Sequence, residues 1–137
     1  MKVLIIGFGS IGKRHYDVLS QLSEVQNIDL VTKQNIENIV CYINLEVIKN
    51  IEEYDYFVIA SETNKHFEQL KFLEENVKNK LIFCEKPLFQ SKQDIEIKNN
   101  IVFVGYVLRF HPLLEKLKEM IKEEKILLVN AKCGQYL

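Results

Sequence analysis

Cysteine is scarce in this chain, and what there is stands badly spaced for chemistry: Cys41, Cys84 and Cys133 are odd in number and far apart. That excludes a disulfide framework and a zinc site, gives no metal centre to expect, and favours buried structural thiols in a reducing, cytoplasmic setting. Charge of one sign is equally lacking. With 18 Lys and Arg against 19 Asp and Glu the net charge is −1, and the basic residues are scattered instead of gathered into an aromatic-studded stripe, so no nucleic-acid partner is expected. No apolar run approaches the length of a membrane span, so no membrane partner is expected either. Met1-Lys2 and the short apolar run after it imitate a leader, but the run breaks at Gly7 and no small-residue cleavage site follows. Repeats, low-complexity tracts and flexible linkers are absent from the pattern as well.

What is present is an ordinary globular composition, 47% apolar and 27% charged over 137 residues, enough for one core and too short for two full domains. Apolar runs alternate with amphipathic stretches. Val3 to Ile6 is a buried strand that turns at Gly7-Phe8-Gly9-Ser10-Ile11-Gly12 into a helix with Ile11, Val18, Leu19 and Leu22 inward. Strands follow at 28–32 and 39–43, then a brief helix opened by Asn44 and carrying Leu45, Ile48 and Ile51. The run 54–60 is a strand covered on both faces, 61–66 a loop and cap, and Phe67, Leu70, Leu73 and Val77 recur at helical spacing. A strand at 80–84, a helix capped by Ser91 through about Lys98 and a strand at 101–107 come next. Pro112 then starts a helix with Leu113, Leu114, Leu117, Met120 and Ile121 inward, and 126–133 is a last apolar strand. Such alternation predicts an α/β fold, a doubly wound parallel sheet of Rossmann type with right-handed crossovers.

The opening turn carries the strongest chemistry. In a strand–Gly7-x-Gly9-x-x-Gly12–helix unit, Gly7 permits the tight turn, Gly9 lets the backbone approach a pyrophosphate, and Gly12 lets helix and strand pack closely. The unpaired amides at the helix start face phosphates with the helix dipole behind them. About 20 residues on, where a ribose-binding acid stands in many NAD sites, the chain has Thr32-Lys33. A small hydroxyl and a cation suit a 2′-phosphate, so NADP is favoured over NAD, with Lys13 or Arg14 as helpers; the alternative for Lys33 is a solvated loop charge. Asp29 lies within its strand, too early to reach a ribose. Glu85-Lys86-Pro87 ends a buried strand at the same sheet edge, where a lysine beside a nicotinamide can exchange a proton with a substrate oxygen.

Taken together, Gly-Phe-Gly-Ser-Ile-Gly at 7–12, Val58-Ile59-Ala60 with Thr63 and His66 following, Glu85-Lys86-Pro87, and Gly105 to Pro112 resemble the amino-terminal half of the Gfo/Idh/MocA family. These NAD(P)-dependent oxidoreductases act on sugars, sugar nucleotides and cyclitols. The resemblance implies that Gly7, Phe8, Gly9, Ser10, Ile11 and Gly12 line the dinucleotide. Thr32 departs from it by standing where the family usually has an acid, which weighs against NAD, and Thr32 and Lys33 are cofactor-binding candidates on the reading of the residues. It further implies that Ser61, Thr63 and His66 lie near the ribose and nicotinamide, that Glu85 and Lys86 hold the nicotinamide ribose and substrate with Lys86 catalytic, and that Arg109 borders the site. His15 and His111 fit common family positions in structural roles. Without the resemblance, His66 reads as a surface residue on a first helical turn and Arg109 as a plain loop charge.

The resulting expectation is a dinucleotide-binding domain over 1–124, followed at 125–137 by the start of a substrate and oligomerisation domain, the chain being a truncated protein or fragment. It would bind NADP or NAD and turn over little by itself, a sugar-like small molecule being the substrate of the complete enzyme. A non-catalytic nucleotide-sensing or interaction module is the rival. Strand 126–133, left with an open edge, is expected to drive homo-oligomer formation.

Overall fold

A computed structural model of the chain describes residues 1–130 and 132. Its chain divides into two compact units, Met1–Gly105 and Tyr106–Leu137.

The first unit is built on six parallel strands: β1 (Lys2–Ile6), β2 (Asn27–Val31), β3 (Cys41–Tyr42), β4 (Tyr56–Ile59), β5 (Leu81–Cys84) and β6 (Ile101–Val104), in the spatial order β3-β2-β1-β4-β5-β6. β1 is central and apolar on both faces, as a strand covered from both sides must be. On one face Val3, Ile5, Ile28, Leu30 and Val58 pack with Phe8 and Leu19, the latter from α1 (Ser10–Leu19). On the other, Leu4, Ile6, Phe57, Ile59 and Ile82 pack with Leu70 and Leu73 of α2 (Thr63–Asn76). Cys84 belongs to this second core, and burial pushes its thiol up to about 12, with the Glu85 charge adding to the effect. It is an inert packing group. Cys41 is half-buried, and Cys133 lies outside the described residues.

Buried polar groups in this unit come with partners. Asp29 faces the second core, not a ligand, and accepts from Tyr54 Oη at 2.5 Å and Asn27 Nδ2 at 2.8 Å. Burial first, and then that hydrogen bond, pushes the Tyr54 phenol well above its ordinary value.

Several elements differ from the sequence expectation. The stretch 91–98 forms no helix. Its apolar residues Ile95 and Ile97 stand two apart, an extended period, and both pack on the second core. The segment is held at its end by Glu74 of α2, whose Oε1 accepts from the Lys98 and Asn99 amides at 2.7 and 2.6 Å and whose Oε2 accepts from Asn100 Nδ2 at 2.9 Å. The helix expected after Asn44 reduces to turns and a single 3-10 turn, Ile51–Glu53, although Leu45, Ile48 and Ile51 are buried as anticipated. On α1, Gly12 and Leu19 are buried and His15 and Tyr16 half-buried, but Ile11 and Val18 are exposed, as is Leu22 beyond the helix end, because the face turned to the sheet is the one that carries Gly12 and Leu19. Finally, 126–130 form no strand. A strand needs a neighbour for its backbone groups, and none pairs with this run among the described residues; the rest of the expected strand includes residues outside them.

Glu74 supports one prediction. Burial pushes its carboxyl up, but the donors from Asn99, Lys98 and Asn100 outweigh that and hold it below the usual 4.5. A depressed folded value contributes stability that is complete above the unfolded value and is lost as pH falls through the folded one. Glu74→Gln is therefore expected to cost about 1–3 kcal/mol at neutral pH and to differ little from wild type in acid. Urea midpoints measured across that range check it.

The second unit contains a 3-10 turn, Val107–Phe110, and α3 (Pro112–Met120), with Pro112 at its start and His111 Nδ1 accepting from Leu113 N at 3.3 Å. Of the residues expected to face inward on this helix, Leu113, Leu114, Leu117 and Met120 are instead exposed, Leu113 at 70% and Met120 at 69%, while Ile121 at its end is half-buried. No helix among the described residues is long and apolar enough to cross a membrane.

Candidate functional site

The parallel ladder carries past the strand ends and aligns the loops that matter. Gly7 N donates to Val31 O at 2.9 Å, Thr32 N to Tyr42 O at 2.8 Å, Ala60 N to Ile6 O at 2.8 Å, Glu85 N to Ile59 O at 2.9 Å, and Gly105 N to Cys84 O at 2.8 Å. All the sequence-predicted chemistry of the first unit thus emerges at one edge, the carboxyl ends of the strands, on either side of the point where strand order reverses about β1.

Gly7 sits at φ +94°, and a Cβ there would lie 2.6 Å from the backbone of Ser61. A Cβ on Gly12 would lie 2.1 Å from Gly7 O. The turn is therefore locked against the β4 loop on one side and α1 on the other, and only glycine fits either place. Gly9 differs: a Cβ built on it meets nothing within 4 Å. It opens on a cleft of about 680 Å³ lined by Gly7, Phe8, Gly9, Ser10 and Ile11 together with Thr32, Lys33 and Ser61. No side chain caps α1, no acid stands in its first turn, and Lys13 N, bonded to Gly9 O at 2.9 Å, is the first amide with a helical acceptor. The amides of Ser10, Ile11 and Gly12 are left to bind an anion. A pyrophosphate fits this open, amide-lined floor.

Phe8 contributes backbone to the cleft, while its ring is buried edge-on to Tyr16 with centroids 5.9 Å apart. Its carbonyl accepts from Gln34 Nε2 at 3.0 Å, and Gln34 N donates to Thr32 Oγ1 at 3.2 Å. Thr32-Lys33-Gln34 is consequently a fixed turn beside the glycines, and Lys33 has no carboxylate within ion-pair reach among the described residues. Across the cleft, Glu62 pairs with Lys65 at 2.8 Å; the Lys65 hydrogen bond holds its carboxyl below the usual range, with Lys33 a smaller contributor. Gln34, Asn44, Glu46, Glu62, Lys65 and Gln69 also line the cleft and were not legible as site residues. The loop after β3 had a signal, since strand order places it beside Thr32; Lys65 and Gln69 had only their helical spacing from Ser61.

Other predicted residues stand elsewhere. Thr63 opens α2 and is half-buried. His66 is 1% exposed, neither a surface residue nor part of the cleft wall. Its Nε2 lies 3.0 Å from Ser61 O and its Nδ1 3.2 Å from both Pro87 O and Leu88 O, so the ring bridges the loops after β4 and β5. Glu85 is half-buried and Lys86 exposed, joined to Pro87 by a cis peptide bond. Arg109 lies in the second unit, exposed in its 3-10 turn.

Comparison with known proteins agrees with this geometry. The sequence profile of the Gfo/Idh/MocA group, described as an oxidoreductase family with an NAD-binding Rossmann fold, matches residues 1–106. No curated protein matches the sequence. Among solved structures, the chain is similar to the WlbA (WbpB) dehydrogenase from Thermus thermophilus in complex with NAD and alpha-ketoglutarate, with 21% identity and a TM-score of 0.72 over 91% of this chain and 47% of that one. It is similar to myo-inositol 2-dehydrogenase from Lactobacillus plantarum, with 20% identity and a TM-score of 0.71 over 89% and 41%. The myo-inositol dehydrogenase from Lactobacillus casei in complex with NAD(H) and myo-inositol gives 20%, 0.69, 89% and 41%. At these identities the likeness establishes the fold, and the chain spans less than half the length of each of these three.

Proposed function

The chain belongs to the Gfo/Idh/MocA oxidoreductase family through its NAD-binding Rossmann domain, and from that premise we propose that its cleft binds NADP in preference to NAD. The observation that carries the preference is the end of β2, where Thr32 and Lys33 line the cleft beside the glycine turn and Lys33 is unpaired among the described residues. A 2′-phosphate brings charge that a cation and a hydroxyl can hold, whereas a free 2′-hydroxyl gains most from an acid. The acid opposite, Glu62, is already engaged by Lys65.

Bound NADP supplies the hydride chemistry; the chain's own groups bind and orient. Ser10 to Gly12 amides hold the pyrophosphate, Ser61 and Thr63 border the ribose, and Glu85 receives the hydroxyls of the nicotinamide ribose. Lys86, exposed at the sheet edge, exchanges the proton of the substrate hydroxyl through Nζ. The proposed substrate of the complete enzyme of this family is a hydroxyl or carbonyl of a sugar, sugar nucleotide or cyclitol, a class to which myo-inositol, bound in the solved Lactobacillus casei dehydrogenase, belongs. These 137 residues alone are proposed to bind cofactor and turn over little.

Fluorescence titration with NADPH and NADH tests the reading. Lys33→Ala is expected to weaken NADPH about tenfold, the loss of one charge-assisted contact, and to leave NADH nearly unchanged. Equal affinity of the wild-type chain for the two would overturn the NADP preference, and binding of neither would overturn the cofactor site.

A further inference from the structure

Between α1 and the turn after β5 runs a polar contact at the margin of the first core. His15 Nε2 lies 2.8 Å from Glu85 Oε1, and the imidazole packs edge-on to Phe83 with centroids 5.2 Å apart. The two side chains are 25% and 19% exposed, so the pair is shielded on most sides. Glu85 is constrained elsewhere too. Its Oε2 accepts from Lys86 N at 3.2 Å, and Gly105 makes room for it, since a Cβ there would lie 3.1 Å from Oε2 and 3.0 Å from the Phe83 ring. One carboxylate is thus held by a side chain of α1 and by its own turn, with glycine at the end of β6 leaving it room, at the same edge as the glycine turn.

We propose that His15 is a positioning residue for the nicotinamide half of the cofactor: by donating from Nε2 to Oε1 it fixes the Glu85 carboxylate in the orientation that receives the nicotinamide-ribose hydroxyls. The proposal rests on the cofactor reading above and adds to it a residue that touches no ligand. Its logic is that of a supporting shell, in which the group that binds is only as well placed as the group that holds it. Without the imidazole, Glu85 keeps a single amide donor beside the apolar Phe83 ring, and a carboxylate so placed turns toward water. α1 then organises both halves of the dinucleotide, the pyrophosphate through the amides at its first turn and the nicotinamide ribose through a side chain one turn further on.

The test compares two ligands on one protein. Wild type, His15→Phe and His15→Gln are titrated with NADPH and with adenosine 2′,5′-bisphosphate, which keeps the phosphorylated adenosine and lacks the nicotinamide ribose. His15→Phe is expected to weaken NADPH about tenfold and to leave the bisphosphate unchanged, and His15→Gln, which retains an N–H donor, to recover most of the loss. Glu85→Gln keeps the shape, removes the charge, and is expected to reproduce the NADPH-only defect. Unchanged NADPH affinity in either His15→Phe or Glu85→Gln overturns the inference, as does an equal loss for both ligands, which marks a damaged fold. Binding of neither ligand to wild type overturns the cofactor reading and this inference with it, whereas binding of both with no difference among the variants overturns this inference alone.

Discussion

Gly12→Ala is expected to lower the unfolding temperature by about 10–20 °C and to abolish dinucleotide binding, while Gly9→Ala, three residues away in the same motif, is expected to lose binding with its fold intact. The contrast follows from what each added methyl meets. At Gly12 it lands 2.1 Å from Gly7 O, a backbone atom that cannot swing aside. Gly7 is itself pinned at φ +94° with the Ser61 backbone 2.6 Å from its own absent Cβ. Relief requires α1 to lift from the sheet or the β1–β4 loops to part, at a cost of about 3 kcal/mol or more. At Gly9 the methyl meets no protein atom within 4 Å, and the residue's φ of −78° is open to alanine. The cost there is confined to a poorer helix start, about 1 kcal/mol or less. The methyl instead occupies the floor on which the pyrophosphate lies. Thermal melts and NADPH titration of the two variants check both halves: a Gly9→Ala chain that binds normally would remove the phosphate from that floor, and a Gly12→Ala chain that melts like wild type would contradict the close contact with Gly7 O.

Those glycines also mark how far sequence carries. The steric roles of Gly7 and Gly12 were legible because spacing, strand and helix coincide, and a strand running into a helix through a short turn leaves each of these positions one geometric task. The parallel sheet was legible for a related reason: β1, β4 and β5 are continuous apolar runs, and only burial on both faces explains such runs in a chain otherwise so evenly charged. Illegible elements were those decided by a distant partner. Ser91 to Lys98 has a plausible cap, yet Glu74, some 20 residues upstream, takes the Lys98 and Asn99 amides and holds the segment extended. The stripe on α3 has helical period and the helix forms, but period does not name the surface that will cover it, and Leu113 and Met120 are exposed. At the site, the turn residues were found and the far wall was not, since Glu62, Lys65 and Gln69 acquire their place from the packing of α2 and not from any local pattern.

His66 gives the last prediction, and it separates two roles that a sequence cannot. If the ring touched the nicotinamide directly, His66→Ala would weaken binding and leave stability near wild type, as for any ligand contact on a cleft wall. The structure gives it other work. It is buried, with Nε2 against Ser61 O and Nδ1 between Pro87 O and Leu88 O. Carbonyls only accept and a neutral imidazole carries one N–H, so the ring donates to the carbonyls of one loop and packs against the other. Removing the ring leaves backbone acceptors of two loops without it and opens a cavity beside the second core, for an expected loss of about 3–5 kcal/mol and a fall in unfolding temperature of about 15 °C or more. The loops it joins carry Ser61 on one side and lead from Glu85 and Lys86 on the other, so NADPH affinity falls as a consequence of their separation. His66→Asn, which keeps an amide donor and part of the volume, is expected to fall between alanine and wild type in both measurements. Correlated losses of stability and affinity across Ala, Asn and wild type identify His66 as the tie between the β4 and β5 loops; a loss of affinity at constant melting temperature would return it to the cofactor.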